Sequence, residues 1–372
     1  MLTLSDILHQ RAADQKVPLN GTFELSPVCN LSCKMCYVRK TPAQLQKQGK
    51  QLIPAEQWLA IAEQCWEAGT LFLLLTGGEP FLYPGFRDLY EHLHRMGFVL
   101  YINTNGTLID EETVAWLKQF APGRVNVTLY GASPETYSRI CGDPSGYERA
   151  IRAIRLLRDS HIPVVINASM IPENACDLEQ ILTIGEDLEL NVRMGTYMFP
   201  PVRREKEDSD SRFDPEQAAE IFLRKARRQN GGQIYDELLA QYREKRGYAA
   251  PPREDWGITE DYMRCRAGRS SFWINWEGEM TACGLMQFPL VTAPFKEGFL
   301  PCWLRLTERV RSTPVLHGCA GCEKKELCRP CAAMILSETS TPDCKAPYLC
   351  RMADHILAHV RQELQSAEDL HP

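Results

Sequence analysis

The stretch TFELSPVCNLSCKMC, residues 22–36, places a β-prone run, Thr22–Leu25, directly before three cysteines, Cys29, Cys33 and Cys36. Three thiols packed into one loop after a strand form a ligand set. A structural zinc ion wants four closed ligands, and no Cys or His stands between Cys36 and Cys65. A four-iron cluster held by three thiolates instead keeps one iron free for a further ligand. Zinc completed from afar, or three merely buried thiols, is the plainer alternative.

Outward from this loop, β-prone runs alternate with amphipathic stretches. The strand candidates are Thr22–Leu25, Leu71–Thr76, Phe98–Asn103, Val125–Tyr130, Pro163–Met170 and Val192–Phe199. Between them lie helix patterns at Ala55–Ala68, Phe86–Met96, Glu111–Phe120, Tyr147–Ser160 and Leu178–Leu188. In the first of these, Trp58, Ile61, Ala62, Cys65 and Trp66 form one stripe. Asp110 is placed to cap one helix, and Ser133-Pro134 supplies a cap and a first-turn proline to another. Strand, helix, strand repeated means a parallel sheet. The fold class expected is α/β, a partial (βα)6 TIM-like barrel with a cysteine-rich, cluster-bound C-terminal extension. Six units fall short of a closed eight, leaving a lateral opening, with chemistry at the C-terminal strand ends.

Four segments follow: residues 1–20 as an N-terminal segment, 21–200 as the barrel, 201–264 as a charged linker with bridging helices, and 265–372 as the cysteine-rich region with a terminal helix over Pro347–Gln365. Residues 200–215, PPVRREKEDSDSRFDP, read as an exposed linker. The basic run Arg224–Arg228 reads as a solvated helix face.

The 372 residues carry 42 Lys+Arg against 48 Asp+Glu, a net charge of −6, which argues against nucleic-acid binding. No apolar run is long enough for a membrane span, and the N-terminus lacks the pattern of a signal peptide. A cytoplasmic location is expected. In that compartment 15 cysteines point to metal or redox chemistry before disulfides. Three lie in the first loop, nine between residues 265 and 350, and Cys65, Cys141 and Cys176 stand apart. Cys65 and Cys176 read as buried small residues. Cys141 falls in a loop after the fourth strand, where it could face the cavity and donate a hydrogen atom.

The C-x3-C-x2-C loop after the first strand resembles that of the radical S-adenosylmethionine superfamily. Thr76-Gly77-Gly78-Glu79-Pro80, at the end of the second strand, is similar to the family's GGEP motif. Asn103-Thr104-Asn105-Gly106, Thr128-Leu129-Tyr130-Gly131 and Asn167 are similar to its polar strand ends. The resemblance implies that Cys29, Cys33 and Cys36 hold the catalytic cluster. It further implies that Gly77, Gly78, Glu79 and Pro80 meet the methionine part of the cofactor, Glu79 taking a hydrogen bond from its ammonium group. Asn105, Thr128 and Asn167 would hold ribose and carboxylate. The residue before the third cysteine, often aromatic in relatives, is Met35, so an adenine contact would rely on backbone and on Met35 or Tyr37. Where relatives carry an Arg after the fourth strand this chain has Cys141, with Arg139 two residues earlier.

The C-terminal cysteines resemble the SPASM extension of peptide-modifying members, which carries two auxiliary clusters. Family order implies Cys265, Cys283 and Cys331 for the first and Cys319, Cys322, Cys328 and Cys350 for the second, with Cys344, Cys302, a substrate thiolate or nothing as the fourth ligand of the first. A zinc ribbon at the C-x2-C-x5-C-x2-C group is the alternative.

The resemblance thus implies an enzyme that uses S-adenosylmethionine and three [4Fe–4S] clusters to modify a peptide or small protein oxidatively, by thioether formation, carbon–carbon cross-linking or dehydrogenation. The implied partners are that substrate, a separate leader-binding protein, since only about 20 residues precede the first strand, and an electron donor such as flavodoxin or ferredoxin. A small-molecule substrate is the alternative, and an iron–sulfur redox sensor or scaffold is the reading from a different class.

Overall fold

The computed structural model describes residues 3–200, 211–243, 263, 265–314, 322, 324–328, 330–342 and 344–370. Helix α1 (Leu4–Asp14), held at its start by a Thr3 capping box, leads into β1 (Asn20–Glu24). The cysteine loop, α2 (Pro42–Lys47) and α3 (Ala55–Glu67) connect to β2 (Phe72–Thr76). The barrel continues through α4 (Phe86–Arg95), β3 (Val99–Thr104), α5 (Glu111–Gln119) and β4 (Arg124–Thr128). Then come α6 (Pro134–Cys141), α7 (Ser145–Asp159), β5 (Val164–Ser169), α8 (Leu178–Asp187) and β6 (Val192–Gly195). Asp110 and Ser133 cap α5 and α6, accepting from the Thr113 and Thr136 N–H groups at 2.8 and 3.2 Å.

Every one of the six expected strands forms, and β1 to β6 pair in parallel with their sequence neighbours. Alternate residues face opposite ways. On β4, Val125 and Val127 are buried toward the helices, and a Cβ built on Gly106 would meet Val127 at 2.8 Å and Ala153 of α7 at 3.5 Å. Arg124, Asn126 and Thr128 therefore face the barrel lumen. The helix stripe of α3 buries Trp58, Ile61, Ala62 and Cys65 as expected, but Trp66, at the edge of that stripe, is 55% exposed.

Three features depart from the expectation. The sheet has eight strands in the order β6-β5-β4-β3-β2-β1-β7-β8, because β7 (Ser271–Ile274) pairs in parallel with β1 and β8 (Met280–Thr281) pairs back on β7. Four residues are too few to show a period, so the sequence pattern did not reveal β7. Its Trp273 Nε1 donates to Glu24 on β1 at 3.2 Å.

At the other edge the lateral opening is lined by α9 (Pro215–Arg228), which is followed by α10 (Gln233–Arg243). Lys225 Nζ donates to the Met194 carbonyl at 2.6 Å and Gln229 Nε2 to that of Val192 at 2.8 Å, the two carbonyls that β6 turns outward. This is how an edge strand is blunted. Nor is the basic run of α9 a free solvated face. Arg224 pairs with Glu179 at 2.8 Å, Arg228 with Glu186, and Arg227 with Glu363 of the terminal helix at 3.0 Å. Of the expected exposed linker, residues 201–210 lie outside the described residues, while Ser211 and Phe213 are buried. Arg212, with its side chain 9% exposed, pairs with Glu338 at 2.8 Å and stacks over Tyr348.

Beyond β8 the chain forms α11 (Pro294–Glu297), α12 (Phe299–Arg311), α13 (Lys325–Cys328), α14 (Ala332–Thr339) and α15 (Pro347–Leu370). Helix α12 joins the main core through Phe299, Trp303 and Leu306, and Trp303 Nε1 donates to the Lys16 carbonyl at 2.5 Å. No described helix is long and apolar enough to cross a membrane.

Candidate active site

The cysteine loop leaves β1 and is pinned from two sides. Gly78 N–H donates to the Ser26 carbonyl at 2.7 Å and Glu79 N–H to that of Val28 at 2.9 Å. A Cβ on Gly77 would fall 2.4 Å from the Ser26 oxygen, and one on Gly78 2.4 Å from the Val28 oxygen. Gly77 also has φ of +149°, which an L side chain resists. The glycines therefore let the end of β2 lie directly against the chain leading to Cys29, a use distinct from approaching a cofactor. On the opposite side Ser32 N–H and Oγ donate to the Cys141 carbonyl at 2.9 and 3.0 Å, and Lys34 N–H to that of Ile140 at 3.1 Å. The C-terminal end of α6 thus holds the middle of the loop.

Cys29 Sγ accepts from Leu31 N–H at 3.4 Å and Asn105 Nδ2 at 3.6 Å, and Cys36 Sγ from Arg39 N–H at 3.3 Å. Burial pushes the Cys29 thiol up to about 12. A metal in place of the proton relieves that cost, since ligation needs the thiolate. The Cys141 thiol beside Cys33 holds Cys33 below the ordinary thiol range, while that contact and then burial raise Cys141 itself. Cys141 is thus in the last turn of α6 and buried, not in a loop, and it faces Cys33. Among the described residues no three His, Cys, Asp or Glu side chains converge as a single metal ion requires. A cubane spreads its thiolates over different irons, and three thiols with N–H donors on two of them suit such a cluster.

Glu79 is fully buried. Its carboxylate accepts from Thr104 Oγ1 at 2.8 Å, Asn105 N–H at 2.9 Å and Phe81 N–H at 3.3 Å, and burial nonetheless pushes it up to about 7. Pro80 starts the short helical turn that follows. Asn105 is equally committed: Nδ2 donates to Asn30 Oδ1 at 2.9 Å and Oδ1 accepts from Thr107 N–H and Oγ1. Both residues knit the ends of β2 and β3 to the cysteine loop. Thr128 and Asn167 differ, standing opposite each other in the β4–β5 register, half-buried, their side chains without a hydrogen-bond partner among the described residues. Met35 packs against the main core and Tyr37 against the small cluster around Trp276. Arg139 is spent on the Glu173 carbonyl at 2.7 Å.

In the C-terminal region Cys265, Cys283 and Cys331 lie within electrostatic reach of one another. Burial first, then the other two thiols, push Cys283 up to about 11. Lys324, ion-paired to Asp354, also lies near both Cys322 and Cys350, and Cys328 packs in the cluster with Tyr348 and Leu349. Cys319 lies outside the described residues. Cys302 is buried on α12 beside Thr292, Glu297 and Arg305. Cys344 is exposed, as is Cys176, contrary to its reading as buried; Cys65 is fully buried. The sequence reading passed over Ser26 and Val28, which act through carbonyls, and Arg193, which belongs to no motif.

Residues 23–184 match the Radical SAM superfamily. That segment is a Radical SAM domain, and the chain is an enzyme. Radical SAM membership brings S-adenosylmethionine and a [4Fe–4S] cluster, and the loop at Cys29, Cys33 and Cys36 is where this radical SAM domain gathers three thiols in the matched segment. Among relatives, the AdoMet-dependent heme synthase of Methanosarcina barkeri is 23% identical over 88% of this chain and 94% of its own length. The sporulation killing factor maturation protein SkfB of Bacillus subtilis is 24% identical over 74% of this chain and 63% of that protein. The solved structure of anSMEcpe with bound AdoMet and the Cp18Cys peptide has a TM-score of 0.66 at 17% identity, covering 95% of this chain and 99% of that one. The likeness to anSMEcpe establishes the shared fold.

Proposed function

We propose that this radical SAM enzyme oxidatively modifies a peptide or small protein and carries three [4Fe–4S] clusters. When bound, the reduced cluster supplies the electron that breaks a carbon–sulfur bond of S-adenosylmethionine, giving methionine and a 5′-deoxyadenosyl radical that takes a hydrogen atom from the substrate. Cys29, Cys33 and Cys36 would be its ligands, with Leu31, Arg39 and Asn105 donating to their sulfurs. Glu79, Thr104 and Asn105 hold the ends of β2 and β3 rigid beside it, which is the protein's share of the work: placement, and exclusion of water. Thr128 and Asn167 offer their unspent groups to the cofactor or the substrate.

The observation that carries the reading is the mutual closeness of Cys265, Cys283 and Cys331, with Cys322 and Cys350 sharing Lys324 as a neighbour, in a chain that also holds a barrel of this family. Two auxiliary clusters would accept the electron left when a substrate loses two hydrogens, one to 5′-deoxyadenosine and one as a proton. An acidic carrier of the flavodoxin or ferredoxin kind would reduce the first cluster. SkfB, a peptide-maturation relative, supports a peptide substrate. A second reading, a haem precursor as substrate, is favoured by the length over which the heme synthase matches.

The deciding experiment incubates anaerobically reconstituted enzyme with reductant and S-adenosylmethionine. One arm adds a short cysteine-containing peptide and the other a carboxylated tetrapyrrole. Peptide product lighter by two hydrogens, with 5′-deoxyadenosine in step, is the expected result. Turnover of the tetrapyrrole alone overturns the peptide assignment.

A further inference from the structure

The strand register carries the site farther than its motifs do. Thr128 on β4 stands opposite Asn167 on β5, and Asn167 stands opposite Arg193 on β6. One step beyond the Thr104–Val127 pair, Asn105 is level with the same row. Arg193 is therefore at the height of the strand ends that flank the cysteine loop. Its side chain faces the lumen, because its neighbour Val192 faces α8, where a Cβ on Gly185 would meet Val192 Cγ2 at 2.2 Å.

Other arginines near this cavity are committed. Arg139 holds the Glu173 carbonyl, and Arg124 donates to Asn126 Oδ1 at 2.8 Å and stacks on Tyr101. Arg193 is exposed, and its side chain has no hydrogen bond or ion pair among the described residues. Burial and the nearby Arg193 charge together hold Arg124 below the ordinary guanidinium range, so the two cations share one space. Glu24 also faces the lumen, but on β1, five strands from β6 in the sheet order, and bound by Trp273. Among the described residues no carboxylate pairs with either guanidinium, which favours an anionic ligand.

We propose that Arg193, with Asn167 and Thr128 beside it, forms a subsite for a carboxylate of the substrate. The planar guanidinium fork grips a carboxylate through two N–H donors, and the Asn167 amide and Thr128 hydroxyl add neutral ones. The carboxylate is assigned to the substrate because β6 ends the row of barrel strands, four strands from β2, after which the Gly77-Gly78-Glu79-Pro80 turn lies. A methionine carboxylate shares a carbon with the ammonium group and would stay beside it at that turn, while adenosine is uncharged. An acidic side chain or the C-terminus of a peptide would meet Arg193. This rests on the proposed function only in taking the lumen as the substrate chamber.

The test labels the full-length holoenzyme with phenylglyoxal and follows modification of Arg193 by peptide mass spectrometry, with arginines of the outer helices as internal reference. S-adenosylmethionine is present throughout, and glutarate or its uncharged diamide, glutaramide, is the probe. The expected result is that Arg193 labels with S-adenosylmethionine alone, that glutarate slows this several-fold, and that glutaramide does not. If S-adenosylmethionine alone abolishes labelling, or if glutarate protects no better than glutaramide, the subsite is refuted. The labelling needs no turnover. Release of 5′-deoxyadenosine from the same preparation, measured separately, tests the radical chemistry, so either can fail without the other.

Discussion

Gly78→Ala should damage the cysteine loop from the far side of β2. Its Cβ would sit 2.4 Å from the Val28 oxygen, 2.7 Å from the Val28 carbonyl carbon and 2.8 Å from the Pro27 oxygen, all backbone atoms of the segment that delivers Cys29. No flexible side chain can yield, so the two segments must part by most of an ångström. Overpacking of this kind costs about 1–3 kcal/mol. The movement also stretches the Gly78–Ser26 and Glu79–Val28 hydrogen bonds, at 2.7 and 2.9 Å, each worth about 1 kcal/mol. The sum is roughly 3–5 kcal/mol, focused on the loop rather than spread over the fold. The assay is iron content after anaerobic reconstitution, with thermal unfolding alongside. Gly195→Ala is the control, since its Cβ would meet nothing nearer than the Ala168 oxygen at 3.9 Å. Gly78→Ala should lose most of one cluster's iron and melt lower, and Gly195→Ala should match the wild type. Wild-type iron and melting in Gly78→Ala would refute the packing role assigned to the glycine.

Three further outcomes follow from the site. Wild-type protein should hold on the order of 12 iron atoms by cubane stoichiometry, and the Cys29→Ala/Cys33→Ala/Cys36→Ala variant about 8 with no 5′-deoxyadenosine formed; zinc at the C-terminal groups after iron and sulfide are supplied would sink the auxiliary clusters. Cys350→Ala should perturb cluster spectra and iron content, whereas Cys344→Ala, at an exposed position, should be nearly silent, and the reverse pattern refutes the ligand partition. His9 is buried, lies 2.9 Å from Ser270 Oγ, and is lowered to about 4 by burial and then by the Arg266 charge. The unfolded chain takes up that proton near pH 6.5 and the folded one only near 4, so about 1–2 kcal/mol of stability present above pH 6.5 is lost as pH falls toward 4. Unfolding of the His9→Gln variant should lack that portion of the acid slope, and an unchanged slope would exclude His9 as its source.

The sequence by itself determined the elements whose signal is local. Strand periodicity, helix stripes and caps at Asp110 and Ser133 depend on neighbours a few residues away, and all of them formed. The three cysteines of the first loop were legible for the same reason: spacing in one loop is proximity in space. Residues whose surroundings depend on distant partners were less legible. Glu79 and Asn105, expected to contact the cofactor, also tie two strand ends together, because only the parallel register brings Thr104 and Asn105 beside the end of β2. Cys141 meets Cys33 across more than 100 residues of chain because α6 docks its carbonyl end on the loop. Lys225 and Gln229 look like any helix surface until β6 presents them with two unpaired carbonyls. β7, four residues long, owes its place to β1. Arg193 carries no motif at all; its height in the lumen is set by hydrogen-bond register across β4, β5 and β6, which exists only once the sheet has formed.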